Sequence, residues 1–192
     1  MSTPDRRTLI ADTAIGLVAS AGLRGLTHRA VDAAAQLPSG STSYYFRTRT
    51  ALIGACYQRL AELDLGDFHG DGQPSLPDRD AVAAALAALL HRWLTTGRAR
   101  QLARFELSLE AARNPELESA FHRAGLGARA RVAEVLGGLG AERPEESAEL
   151  LVGWTDGLLY DRLAGALARS RPAPDLAELT VVTRRMVDAA LG

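Results

Sequence analysis

Residues 27–46 read THRAVDAAAQLPSGSTSYYF. Thr27 suits an N-cap, because its hydroxyl can accept from a first-turn N–H, and the Ala-rich run to about Ala34 favours helix. Ala30, Val31 and Ala34 can face inward while His28 and Arg29 look outward. Gln36-Leu37-Pro38 then breaks the helix. Pro38 suits the first turn of a second helix, where its missing donor costs nothing. Two short helices around a tight turn form a helix-turn-helix, whose first helix braces across a DNA backbone while the second enters the major groove. Leu37 and Phe46 are expected in the core of this small unit.

The chain on either side is helical by pattern. Before the motif, residues 5–21 set Leu9, Ile10, Ala14, Leu17, Val18 and Ala21 along one stripe, with Gly22 as the stop. Arg6 and Arg7 at the start of that helix read either as a solvated turn or as a phosphate contact. After the motif, Thr48 caps a helix through about Leu65 that buries Leu52, Ile53, Ala55, Cys56 and Leu60. Residues 66–77, GDFHGDGQPSLP, read as a loop. Asp78 and Asp80 lead into AVAAALAALLHRWL, apolar almost all round and so expected to be central. Helices follow at 98–113, from Asn114-Pro115-Glu116 to about Gly137, from Pro144 to about Arg169, and from an Asp175/Glu178 capping pair to about Ala190. With no strand-like alternation, the fold class is all-α, with about nine helices.

Composition agrees. The chain has 192 residues, 47% hydrophobic but only 5% aromatic, so its core must be built mainly from Ala, Leu and Val, with little material for sheet. All 22 basic residues are Arg, which keeps its charge and forked donors for phosphate. Residues 1–60 carry seven Arg against three Asp, a balance of +4, and the remainder carries −5. A basic start on an acidic body fits a nucleic-acid reader with a second part that does not bind DNA. The single cysteine, Cys56, excludes an intrachain disulfide and a thiolate metal cluster. Nothing reads as a signal peptide or as the roughly 20 apolar residues of a membrane span, so a cytoplasmic location without membrane contact is expected.

The pattern of a first helix, Gly22, Thr27, a small-residue helix, a turn, Gly40, Tyr45-Phe46, Arg49 and Leu52 resembles the DNA-binding domain of the TetR family of one-component bacterial regulators, over about residues 6–54. Four positions depart from the commonest family pattern: Gln36 where Gly is usual in the turn, Thr42 where Leu or a similar core residue is usual, Ser43 for a common Tyr, and Arg49 for a frequent Lys. The resemblance implies base-edge contacts by Ser39, Gly40, Ser41, Ser43 and Tyr44. Serine hydroxyls read bases flexibly, and a Tyr can reach thymine methyl groups. Thr27, Arg29, Tyr45 and Arg49 suit phosphates. His28 is either an ordinary exposed residue or a further backbone contact.

The resemblance divides the chain into a DNA-binding domain, 1–48, and a helical ligand-binding and dimerisation domain, 49–192. One helix-turn-helix reads only a half-site, so a homodimer is expected on double-stranded operator DNA. In the family the two C-terminal helices pair with their mates. Leu151, Leu158, Leu179, Val182 and Met186 have suitable spacing, helped by Gly153, Gly157 and Gly165, unless they serve the core instead. Trp93, Phe105, Leu109, Phe121 and Trp154 could line a pocket for a small-molecule effector. The expectation is a transcriptional repressor released by that effector. The alternative is a DNA-binding regulator without one, whose body only dimerises or binds a protein. An enzyme is not expected, nor a cofactor: the four His show no ligand spacing, and neither a phosphate loop nor a Ser elbow occurs.

Overall fold

The computed structural model describes residues 5–68 and 78–192, and among them the chain is all helix and turn, with no strand. The helices are α1 (Arg6–Gly25), α2 (His28–Ala34), α3 (Ser41–Tyr45), α4 (Arg49–Phe68), α5 (Arg79–Leu94), α6 (Arg98–Ala111), α7 (Pro115–Gly138), α8 (Pro144–Ala164) and α9 (Leu176–Leu191). No helix among these residues is long and apolar enough to cross a membrane. The expected loop at 66–77 is corrected at its start, since α4 continues through Phe68; its remainder lies outside the described residues. The helix from Pro144 stops at Ala164 rather than near Arg169. Gly165 ends it, at a position where a Cβ would lie 2.6 Å from the Asp161 carbonyl oxygen.

The chain forms two compact units, Met1–Asp64 with Ala99–Ala124, and Leu65–Arg98 with Gly125–Gly192. In the first, Ile10, Val18, Leu26, Val31, Leu52, Ile53, Cys56, Leu60, Leu107 and Leu117 form one buried cluster, with Leu37 and Tyr45 packed at its edge. Each fully buried Leu or Ile stabilises by about 1.5–3 kcal/mol. Polar ties sit on this frame. The Arg59 guanidinium donates to Asp12 at 2.7 Å, joining α4 to α1, and the Tyr57 hydroxyl donates to the Leu107 carbonyl, joining α4 to α6. Burial pushes the Cys56 thiol up to about 12, so it packs as a neutral small hydrophobe.

In the second unit α5 packs chiefly against α9, with α8 beside both. The central role expected for α5 holds for one broad face: Ala83, Ala87, Leu90 and Trp93 are buried, whereas Ala84, Ala85 and Ala88 are exposed. A buried Thr183 hydroxyl donates to the Ala83 carbonyl at 2.8 Å and pins α9 to α5. Asp175 caps α9 through the Ala177 N–H at 3.0 Å. Glu178 does not complete the expected capping pair; it accepts from Arg162.

Between α2 and α3, Leu37 N–H donates to the Asp32 carbonyl at 2.8 Å and Gln36 N–H to the Ala33 carbonyl at 3.2 Å. This pair of bonds is the Schellman ending, which places its C′ residue in the left-handed region. That residue is Gln36, at φ +54°, where an L side chain costs about 1–2 kcal/mol. Glycine relieves that strain but gains freedom in the unfolded chain, worth about 0.4–1 kcal/mol. Gln36→Gly is therefore expected to stabilise the protein by about 0.5–1 kcal/mol, read as a higher urea midpoint; a lower midpoint would contradict the strain.

Candidate nucleic-acid interface

The second helix of the motif begins at Ser41, not near Pro38, and spans five residues. A helix that short has no stability of its own, so its position must be imposed by bonds to its neighbours. Asp32, on α2, supplies them at one end. Its carboxylate accepts from Gly40 N–H at 2.8 Å, Thr42 N–H at 2.7 Å and the Thr42 hydroxyl at 2.6 Å. Asp32 and Thr42 are both buried, and Gly40 turns the chain at φ +90°. His28 supplies the other end: its Nε2 donates to the Phe46 carbonyl at 2.7 Å.

Burial alone would raise the Asp32 carboxyl. The bonds from the Thr42 hydroxyl and amide and from the Gly40 amide outweigh it and, with nearby His28, hold the group below its ordinary 3.8. Asp32 was not among the residues singled out from sequence. Its signal is a carboxylate inside an otherwise small, apolar helix, with Gly and Thr a turn away. The same clamp accounts for Thr42 at a position where Leu is usual: Thr42 packs in the core and its hydroxyl completes the Asp32 shell.

On the outer side, Ser39, Gly40 and Ser43 are exposed and Tyr44 is 79% exposed. Ser41 is half-buried, and its hydroxyl donates to the Pro38 carbonyl at 2.6 Å. Tyr45 is half-buried, edge-on to Tyr44 at 5.2 Å between centroids. The Arg7 guanidinium lies 5.8 Å from the Tyr45 ring centre and 5.3 Å from that of Phe46. Thr27 caps α2 through Ala30 N–H at 3.1 Å, beside an exposed Arg29.

Two expectations change. His28 does not simply look outward, since it is half-buried and bonded to Phe46. Arg49 is engaged within the unit: Nη2 donates to the Leu23 carbonyl at 2.7 Å, and Nη1 lies 3.9 Å from Glu110. The exposed arginines that flank α2 and α3 without having been singled out are Arg24 and Arg47.

The five residues expected around an effector are divided between the two units. Phe105, Leu109 and Phe121 belong to the first unit, and Trp93 and Trp154 to the second. Leu109, Phe121 and Trp154 are exposed, at 56%, 38% and 38%. Trp93 is buried and donates its indole N–H to Asp67 at 2.7 Å, while Phe121 tilts against Tyr57 at 5.5 Å.

The family described as tetracyclin repressor-like, C-terminal domain, matches residues 77–192. Among solved structures, the multidrug binding protein EbrR complexed with ethidium is 30% identical, covering 95% of this chain and 98% of that one, with a TM-score of 0.71. A member of the TetR family from Streptomyces coelicolor A3 is 29% identical over 95% and 98% of the two chains, also at 0.71. A transcriptional regulator from Rhodococcus sp. Rha1 shares the fold at a TM-score of 0.76, with 22% identity over 97% and 96%. No curated protein sequence matches the chain.

Removing the Asp32 carboxylate orphans two amides and a hydroxyl, so Asp32→Ala is expected to cost about 2–4 kcal/mol in urea unfolding. The depressed acid value sets the pH sense: the contribution is complete above the unfolded value near 3.8 and fades as pH falls through the lower folded one. The stability gap between wild type and Asp32→Ala should therefore narrow on acidification. A gap that widened toward low pH would contradict the assignment.

Proposed function

The chain belongs to the TetR family of transcriptional regulators, whose members are not enzymes, and on that premise we propose that it is a cytoplasmic repressor. It binds operator DNA as a homodimer through α2 and α3 and is released by a small molecule bound in the helical body. The observation that carries the DNA reading is the short α3, clamped at both ends, with Ser39, Gly40, Ser43 and Tyr44 presented outward. In this reading residues 1–48 make the DNA contacts and 49–192 serve ligand and partner. Ser41 adds a half-buried contact, Thr27 and Arg29 hold phosphates, and Tyr45 does so from the edge. His28 and Arg49 act mainly by bracing α3 and α4. Recognition rests on hydroxyls and one tyrosine, without the bidentate arginine that reads guanine.

The dimer face we infer keeps α8 and α9 and lies on their exposed sides. Leu151 and Leu179 are buried within the unit, at 5% and 0% exposure. Gly153 and Gly157, already read on this face, lie with Leu150 and Trp154 in an exposed stripe at helical spacing along α8, and Val181 is exposed on α9. Trp154 is thereby assigned to the partner interface rather than to a pocket. A small-molecule effector is supported by EbrR, which is described as multidrug binding and complexed with ethidium and with proflavin. The exposure of Leu109 and Phe121 favours the second reading, a regulator without an effector. Repeating a DNA-shift assay with candidate metabolites separates the two, since only the first expects release.

DNA selected from a random pool should bind with an affinity that falls steeply with salt, reflecting several phosphate contacts per dimer; a flat response would sink the reading. Arg29→Ala should weaken binding to all sequences alike, and Tyr44→Ala should chiefly erode discrimination, by about 1–3 kcal/mol at the contacted step. Trp154→Arg should give monomers in sedimentation and lose operator binding together, with helical content kept. A dimeric Trp154→Arg protein would remove α8 from the interface.

A further inference from the structure

A cleft of about 220 Å³ lies in the second unit where the end of α5, the residues after α8 and the approach to α9 meet. Its walls include Arg98, Arg162 and Arg171 with Leu94, Pro172 and Pro174. The Arg162 side chain is only 10% exposed and donates to Glu178. Arg171 donates to Asp161. Arg98 donates through Nη2 to the Leu163 carbonyl at 3.1 Å, a neutral acceptor. Three guanidinium groups therefore face two carboxylates, which leaves one positive charge in excess.

Guanidinium donors lie in a planar fork whose spacing matches two oxygens of a carboxylate or a phosphate. The cleft is smaller than the usual drug-sized pocket, and Leu94 with the two prolines offers a short apolar wall. We propose that it binds one small organic anion carrying a single carboxylate or phosphoryl group, held by Arg98 and Arg171 while Arg162 adds charge. None of Trp93, Phe105, Leu109, Phe121 or Trp154 lines it, so the site is distinct from the effector reading. Occupancy would tie the 168–174 segment to Arg98 and so to the end of α5.

The test titrates the full chain at constant ionic strength with inorganic phosphate in one arm and butyrate in the other, followed by calorimetry. One saturable site per chain is expected, and the arm that saturates identifies the anion chemistry. Arg98→Gln and Arg171→Lys should each weaken it about tenfold or more. Arg171→Lys keeps the charge beside Asp161 and removes only the fork, and circular dichroism checks that each variant is folded. Should Arg171→Lys not fold, Arg98→Gln alone decides. Failure of both anions to saturate, or unchanged affinity in a folded variant, would overturn the site. DNA binding is not the readout, so the outcome is independent of the repressor reading.

Discussion

The placement of α3, and with it the base contacts proposed for it, depends first on one carboxylate. Five residues cannot hold a helix in water, and α3 has only five. Asp32 accepts three hydrogen bonds from the turn and first residues of that helix, inside a site that excludes water. An ionised acceptor makes each of those bonds stronger than a neutral one. His28 fixes the far end through the Phe46 carbonyl. The exposed Ser43 and Tyr44 thus stand on a short, pinned segment, which suits the base-edge contacts proposed for them.

Much of this was legible in the chain. Caps at Thr27 and Thr48 are where they were read, and Asp78, read only as leading into α5, caps it as well; each accepts from an N–H three residues on. Of the apolar stripes read on α1 and α4, Ile10, Ala14, Val18, Leu52, Ile53, Cys56 and Leu60 are buried, Leu9, Leu17 and Ala55 partly so, and Ala21 is exposed. Periodicity and capping are local properties, so they survive without knowledge of the tertiary fold.

What sequence did not disclose depends on partners distant in the chain. Asp32 reads as one more polar residue in α2 until Gly40 and Thr42 are brought to it, and Arg49 reads as a free cation until Leu23 lies beside it. The side of α8 that is buried could not be read either, because the helix is apolar on several faces. Leu150 and Trp154 turn out exposed, while Leu151 and Leu159 are buried. Gln36 shows the opposite case: a residue with no local advantage is kept in a left-handed turn by the ending that α2 requires.

The most direct test of the Asp32 clamp is a double-mutant cycle between Asp32→Ala and Thr42→Val, followed by urea unfolding. Thr42→Val keeps the buried shape and the backbone donor and removes only the hydroxyl. The account predicts a coupling of about 1.5–3 kcal/mol between the two changes, the size of one hydrogen bond to a charged group. Additivity within about 0.3–0.5 kcal/mol, as expected of independent sites, would contradict it.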